Sequence, residues 1–177
     1  MHSKTWHVGH ERLLKLDGDG VIMAIVNATP DSFSDGGKYV SCDLAVAHAL
    51  SCVEDGAQIL DIGGESTRPG AMEISAQQEQ DRVLPVIERL SKETNALISI
   101  DTYRAQTAKL ALEAGAHIVN DVHGLQREPE IAGVIKSFNA GVCIMHTSRE
   151  RDVLPDPVAD QNLFFQSSLE IAKAYDI

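Results

Sequence analysis

Short apolar runs along this chain end repeatedly in a polar residue. Residues 21–26 give way to Asn27, 58–62 carry Asp61 and meet Gly63-Gly64, and 96–100 end at Asp101. Residues 118–119 end at Asn120-Asp121, and 142–145 at His146. Short aliphatic runs bounded by turn chemistry predict strands buried on both faces. Between them the apolar period changes to that of a helix. Val46, Leu50, Val53 and Ala57 follow Ser41, a candidate cap, with Gly56 as the stop. Ser75 and Gln78 form a capping box ahead of Val83, Val86, Ile87 and Leu90. Pro85 inside that stretch predicts a kink or a late helix start. Thr102 is placed to cap a helix running to Gly115, Pro129 sits near the start of one carrying Ile131, Val134, Ile135 and Phe138, and a last helix spans about 158–175.

A weak repeat reinforces this alternation. Gly56-Ala57-Gln58-Ile59-Leu60-Asp61 matches Gly115-Ala116-His117-Ile118-Val119-Asn120: a helix-ending glycine, a short strand, then a polar residue. Five strand–helix units in succession predict parallel strands with right-handed crossovers. A doubly wound sheet and a (β/α)8 barrel both fit. The barrel is preferred, because polar groups stand at every strand end and not at one switch point. A full barrel takes about 250 residues, so five units need roughly 156 and a lead of about 20 brings the total to roughly 176. The chain has 177. The expectation is an α/β (β/α)8 TIM-barrel chain of about five units, with residues 1–20 as a lead or hairpin and 21–177 as a domain ending before the sixth strand.

Composition narrows the function. Hydrophobic residues make up 44% and charged residues 23%, as in ordinary globular proteins. The net charge of −11 argues against a non-specific nucleic-acid binder, and no apolar run approaches a membrane span. The first 20 residues lack an apolar signal core, and the three cysteines lack metal-ligand spacing, so the expected compartment is the reducing cytoplasm. His2, His7 and His10 have no second ligand cluster and read as a surface or hairpin segment. Asp17-Gly18-Asp19-Gly20 reads as a turn.

In a barrel, Asn27, Asp61, Asp101, Asn120 with Asp121, and His146 converge on one mouth. Carboxylates accept from ring amino and imino groups, and amides both donate and accept, so the set suits a planar, N–H-rich ligand. Arg68 can clamp a phosphate or carboxylate, and the loop after Asn27 offers oxygen ligands for a hard cation such as Mg2+. Each residue also has a structural alternative. Asn27 and Asp61 can be turn residues, Asp101 part of a helix start, His146 a core histidine, and Arg68 a solvated loop cation.

Two loop motifs carry a family resemblance. Residues 27–37, NATPDSFSDGG, and 61–70, DIGGESTRPG, resemble the two signatures of the dihydropteroate synthases. Ile100-Asp101-Thr102, Asn120-Asp121 and Met145-His146 also fall where that family has them, and Ala28 replaces a more usual valine. The resemblance covers nearly all of 20–177. It implies a transferase of folate biosynthesis that joins para-aminobenzoate to 6-hydroxymethyl-7,8-dihydropterin diphosphate, and that sulfonamides oppose.

It further implies roles for individual residues. Asn27 would ligate Mg2+ on the diphosphate. Asp101 and Asn120 would read the pterin edge, with Met145 packing on the ring. Thr67 and Arg68 would hold diphosphate and aminobenzoate, and Phe33, Asp35 and Pro69 would close over the reacting centre, with Asp35 and Arg68 as the catalytic pair. The family's further pterin-binding Asp, its Lys and its Arg-x-His motif find no match in these 177 residues. The 1–177 polypeptide is therefore expected to be inactive alone, and the resemblance allows a homodimer at full length. Two other readings stand beside this one: a non-catalytic half-barrel or interaction module, and a pterin-dependent methyltransferase domain. The 65–70 loop argues against the methyltransferase.

Overall fold

The computed structural model describes residues 4–16, 18, 20–29, 37–65, 73–149 and 151–177, and the side chains of 37–40 are outside that set. The chain opens with an antiparallel hairpin, β1 (Thr5–Val8) and β2 (Arg12–Lys15), as the reading of the lead expected. The Asp17 and Asp19 part of the next turn lies outside the described residues. Five parallel strands follow: β3 (Met23–Asn27), β4 (Ile59–Gly63), β5 (Leu97–Asp101), β6 (Ile118–Asp121) and β7 (Gly141–Ile144). Helices α1 (Gly37–Glu54), α2 (Ala76–Glu93), α3 (Ala105–Glu113) and α4 (Ile131–Ser137) connect them, and α5 (Pro157–Ala174) comes last.

The strands lie in the order β3-β4-β5-β6-β7 with no reversal. A doubly wound sheet reverses its order and carries helices on both faces. Here the helices sit on one face only. Ala24, Val26, Leu60, Ile62, Ile98, Ile100 and Val119 point to that face and share a core with Val83, Val86, Ile87 and Leu90 of α2. Each fully buried aliphatic side chain contributes about 1.5–3 kcal/mol, so this layer dominates the stability of the sheet. The alternate residues Met23, Ile59, Leu97, Ile118 and Cys143 point to the other face, where Trp6, Val8 and Leu14 of the hairpin cover them. The hairpin thus closes the N-terminal end of the inner face. Gly141 permits this approach: a Cβ there would lie 2.7 Å from the Trp6 ring and 2.8 Å from Val8.

The internal repeat is a repeat of geometry. Gly56 and Gly115 both take positive φ, at 104° and 115°. After each, the next amide closes on a carbonyl five residues back: Ala57 N–H to Cys52 O and Ala116 N–H to Ala111 O, both 2.9 Å. Only glycine takes that backbone without strain.

Two helix boundaries differ from expectation, and a third helix starts where its capping box puts it. The first helix begins at Gly37, so Ser41 lies inside it and not at its cap position. α2 begins at Ala76 and passes through Pro85, so there is no late start. Pro85 is exposed, and the hydrogen bond it cannot donate faces water. Arg104, not Thr102, stands at the cap position of α3 and makes no side-chain cap. Thr102 Oγ1 instead accepts from the Arg104 amide at 3.1 Å, and the Ala105 amide donates to Glu128 Oε2 at 2.8 Å. A carboxylate from the next loop therefore serves as the cap. The Ser75–Gln78 capping box is present in both directions.

Candidate functional site

Strand register assembles the site. Asn27 pairs with Gly63, Gly63 with Asp101, Asp101 with Asn120, and Asn120 with Cys143. These residues form one row across the inner face at the C-terminal strand ends. The row beneath it is Ile25, Asp61, Ser99, Ile118 and Gly141. Gly63 leaves a gap in the upper row between Asn27 and Asp101, and a Cβ there would lie 3.4 Å from Asp101 Oδ2.

Asn27 is exposed, Asp101 and Asn120 are half-buried, and Asp61 and Ser99 are buried. Asn120 Nδ2 donates to Asp61 Oδ2 at 2.8 Å. That bond commits the amide nitrogen inward and leaves the amide oxygen as the acceptor facing the mouth. Among the described residues, Asp61 Oδ1 and Ser99 Oγ are buried without a hydrogen-bond partner. Burial raises the Asp61 carboxyl above its ordinary range. Burial, with Asp61, Glu79, Asp121 and Glu65 nearby, pushes Asp101 up to about 7. Near neutral pH Asp101 can therefore accept from a ring N–H as a carboxylate or donate as an acid.

The structure brings together Asn27, Asp61, Asp101 and Asn120, as the strand-end pattern required. It places two others elsewhere. Asp121 points to the helix side and accepts from the His123 and Leu125 amides at 2.8 and 2.7 Å, so it shapes the following turn. His146 leaves the mouth: its Nε2 lies 2.9 Å from Asp160 Oδ2. Asp160 also pairs with Arg151 and accepts from the Leu154 amide at 2.8 Å. His146 thus belongs to the anchor of the 147–156 loop, and Arg151 holds Asp160 well below the usual carboxylate range. Met145 follows β7 and is largely exposed. Phe33, Asp35, Thr67, Arg68 and Pro69 lie outside the described residues.

Asn27 presents a single exposed oxygen donor at the mouth, which fits a hard cation held mostly by phosphate and water. The described residues contain no cluster of three or more His, Cys, Asp or Glu able to hold a metal by themselves.

A profile of the family described as "Pterin binding enzyme" matches residues 23–177. The chain belongs to the pterin binding enzyme family. Within it, the chain is 51% identical over 143 residues to a dihydropteroate synthase of Bacillus subtilis (strain 168), covering 79% of this chain and 50% of that protein. It is 38% identical over 173 residues to the dihydropteroate synthase of Clostridium beijerinckii, covering 88% and 64%. Among solved structures it is similar to Xanthomonas albilineans dihydropteroate synthase with 4-aminobenzoic acid, at TM-score 0.86 and 40% identity, covering 97% of this chain and 63% of that one. It is also similar to the Burkholderia cenocepacia enzyme complexed with 7,8-dihydropteroate, at TM-score 0.83 and 31% identity, covering 100% and 61%. The chain spans about half to two thirds of the length of the relatives it matches. The five parallel strands and their helices are thus part of a TIM barrel of the pterin binding enzymes. No helix among the described residues is long and apolar enough to cross a membrane.

Sequence reasoning left Ser99, Gly63 and Cys143 out of the site. Period 2 along each strand would have placed Ser99 on the face of Asp101, two residues away. The same period puts Gly63 two residues beyond Asp61 and Cys143 two before Met145, and cross-strand register then aligns both with Asp101 and Asn120.

Proposed function

We propose that this chain supplies the pterin-reading side of a dihydropteroate synthase. That activity condenses 6-hydroxymethyl-7,8-dihydropterin diphosphate with 4-aminobenzoate to give dihydropteroate and diphosphate. The observation that carries the reading is the upper row, Asn27–Gly63–Asp101–Asn120, with Asp61 behind it. The Asp101 carboxyl accepts ring amino and imino hydrogens, and Asn120, its nitrogen tied to Asp61, offers its oxygen to a further N–H. Gly63 leaves space for a flat ring between the strands. Met145 would pack on the ring face.

Asn27 would be the protein donor to Mg2+, which when bound supplies positive charge to the diphosphate. Arg68 and Thr67 would hold the anionic groups, with Phe33, Asp35 and Pro69 excluding water from the reacting carbon. In the reaction the methylene C–O bond breaks, the arylamine nitrogen forms the C–N bond, and its proton leaves to the solvent or the diphosphate. The chain's residues bind and orient, and no protein nucleophile takes part.

The test is pterin binding, followed by quenching of pterin fluorescence on the 177-residue chain. Wild type is expected to bind, and Asp101→Asn to bind at least about tenfold more weakly, a loss of about 1.4 kcal/mol. A wild type that binds nothing, or an Asp101→Asn variant that binds equally well, overturns the reading and favours a non-catalytic half-barrel. These 177 residues hold no match to the family's Lys or Arg-x-His groups. By itself the chain is therefore expected to form no dihydropteroate from both substrates in a labelled 4-aminobenzoate assay.

A further inference from the structure

Asp61 and Ser99 lie side by side on the inner face, one row below the residues proposed to read the ring. They are register partners on β4 and β5, at 5% and 0% exposure. Their row continues into Ile25 on one side and Ile118 on the other. Two residues earlier on the same strands, Ile59 and Leu97 belong to the apolar layer under Val8 and Leu14. A carboxylate and a hydroxyl are thus set in an aliphatic frame. Burying a carboxylate there is costly unless its oxygens are hydrogen-bonded.

Each oxygen of Asp61 faces a different partner. Asn120 Nδ2 donates to Oδ2 at 2.8 Å. Asp61 Oδ1 and the Ser99 hydroxyl make no hydrogen bond of ordinary geometry. They still act on each other: burial raises the Asp61 carboxyl, and the Ser99 hydroxyl opposes it, ahead of Asn120. A serine hydroxyl rotates to aim its hydrogen, and a carboxylate only accepts, so a small turn of Ser99 closes the contact with Ser99 as donor. A carboxylate gripped at one oxygen can pivot, and one gripped at both has a fixed plane. The Asn120 amide is fixed in turn. Turned over, it would offer N–H hydrogens to the mouth in place of its oxygen. The two ends of an amide are nearly equal in size, so the partner behind decides which one faces outward.

We infer that Ser99 and Asp61 are positioning residues that lock the Asn120 amide with its oxygen toward the mouth, and so set a preference for a ligand N–H over an acceptor at that point. Both act through Asn120. The ligand half of the inference rests on the proposed function, in which Asn120 meets the pterin edge.

Side-chain amide hydrogen exchange, followed by heteronuclear NMR on the 177-residue chain, tests the lock. The signal lost in Asn120→Ala assigns the Asn120 amide. Ser99→Ala is expected to speed exchange of that amide while the backbone amides of β4 and β5 keep wild-type protection. Fluorescence quenching then compares 6-hydroxymethylpterin with 6-hydroxymethyllumazine, in which a carbonyl replaces the ring amino group. Wild type is expected to prefer the pterin, and Ser99→Ala to lose at least about tenfold of that preference, about 1.4 kcal/mol. In an Asn120→Ala background Ser99→Ala is expected to change the preference by less than about twofold, because the two substitutions share one route.

Unchanged exchange of the Asn120 amide in Ser99→Ala overturns the lock. Equal speeding of the strand amides also overturns it, since the substitution then loosens the sheet and not the amide. Should Ser99→Ala fail to fold, Ser99→Cys, similar in size with a weaker donor, is expected to speed the exchange, and a wild-type rate there overturns the lock instead. Faster exchange with an unchanged preference overturns the specificity role. A loss of preference that persists without the Asn120 amide overturns action through Asn120. If wild type binds neither ligand, the functional reading fails, and the lock stands or falls on exchange.

Discussion

At the scale of single residues, two titratable groups shifted by burial pull the stability in opposite directions with pH. Asp101 is raised from 3.8 to about 7, chiefly by burial and then by its acidic neighbours. The folded state therefore holds the proton more tightly than the unfolded chain. That contribution is present below about pH 4 and is lost as pH rises to about 7. A shift of about three units corresponds to roughly 4 kcal/mol, so Asp101→Asn is expected to gain up to that much over wild type at about pH 8 and little at about pH 4. Urea unfolding midpoints at the two pH values check this.

His117 behaves the other way. Its Nδ1 accepts from the Ile98 amide at 3.1 Å, and burial lowers it from 6.5 to about 4. Its contribution is present above pH 6.5 and is lost as pH falls toward about 4. His117→Asn, which keeps an acceptor but does not titrate, is expected to flatten the acid side of the same stability curve. Asp101 was legible as a strand-end carboxylate. His117 was legible only as a position in the repeat, because its partner belongs to a neighbouring strand.

At the scale of elements, helix ends with local chemistry were readable and those capped from afar were not. Ser75 and Gln78 close on each other within one turn, so their sequence spacing was enough. Ser75→Ala is expected to cost about 1 kcal/mol, read as a lowered thermal midpoint. Thr102 looked like a cap of the same kind. Glu128 takes that role from the next loop, 23 residues away, and no local pattern announces it. The hairpin's docking is similar. A Gly141→Ala side chain would meet Trp6 and Val8 inside 3 Å, and is expected to lower the midpoint more than Ser75→Ala does. His146 was misplaced for a related reason. Asp101 is the last residue of β5, whereas His146 lies two residues beyond β7 and pairs with the buried Asp160 of α5.

At the scale of the whole molecule, the described residues cover the inner face of the sheet at its N-terminal end. Ile25, in the same row as Asp61, is 68% exposed. β3 and β7 stand at the two edges of the described sheet. Unpaired strand edges beside exposed aliphatic side chains favour association between chains. The 177-residue chain is therefore expected to self-associate in sedimentation velocity. Ile25→Lys is expected to reduce that association while moving the monomer's stability by no more than about 0.5 kcal/mol. Equal association by both proteins would count against the inner face as its cause. The ion pair of Arg104 with Glu65, at 2.7 Å, also belongs to this scale, since the two residues lie 39 apart and meet when β4 and β5 pair.

The sequence by itself determined the alternation of strand and helix, the parallel sheet, the barrel-type order and the polar strand ends. Those follow from local period and turn chemistry, and they named Asn27, Asp61, Asp101 and Asn120 together with Asp121 and His146, which the structure turns away from the row. The tertiary structure alone decided which residues share a level. In the repeat Asp61 and Asn120 occupy equivalent positions, yet β6 is displaced so that Ile118 stands level with Asp61 and Asn120 one row higher. Stagger of that kind comes from the way a barrel sheet closes, not from any one strand. It places Asn120 beside Asp101, with Asp61 behind it as a hydrogen-bond partner.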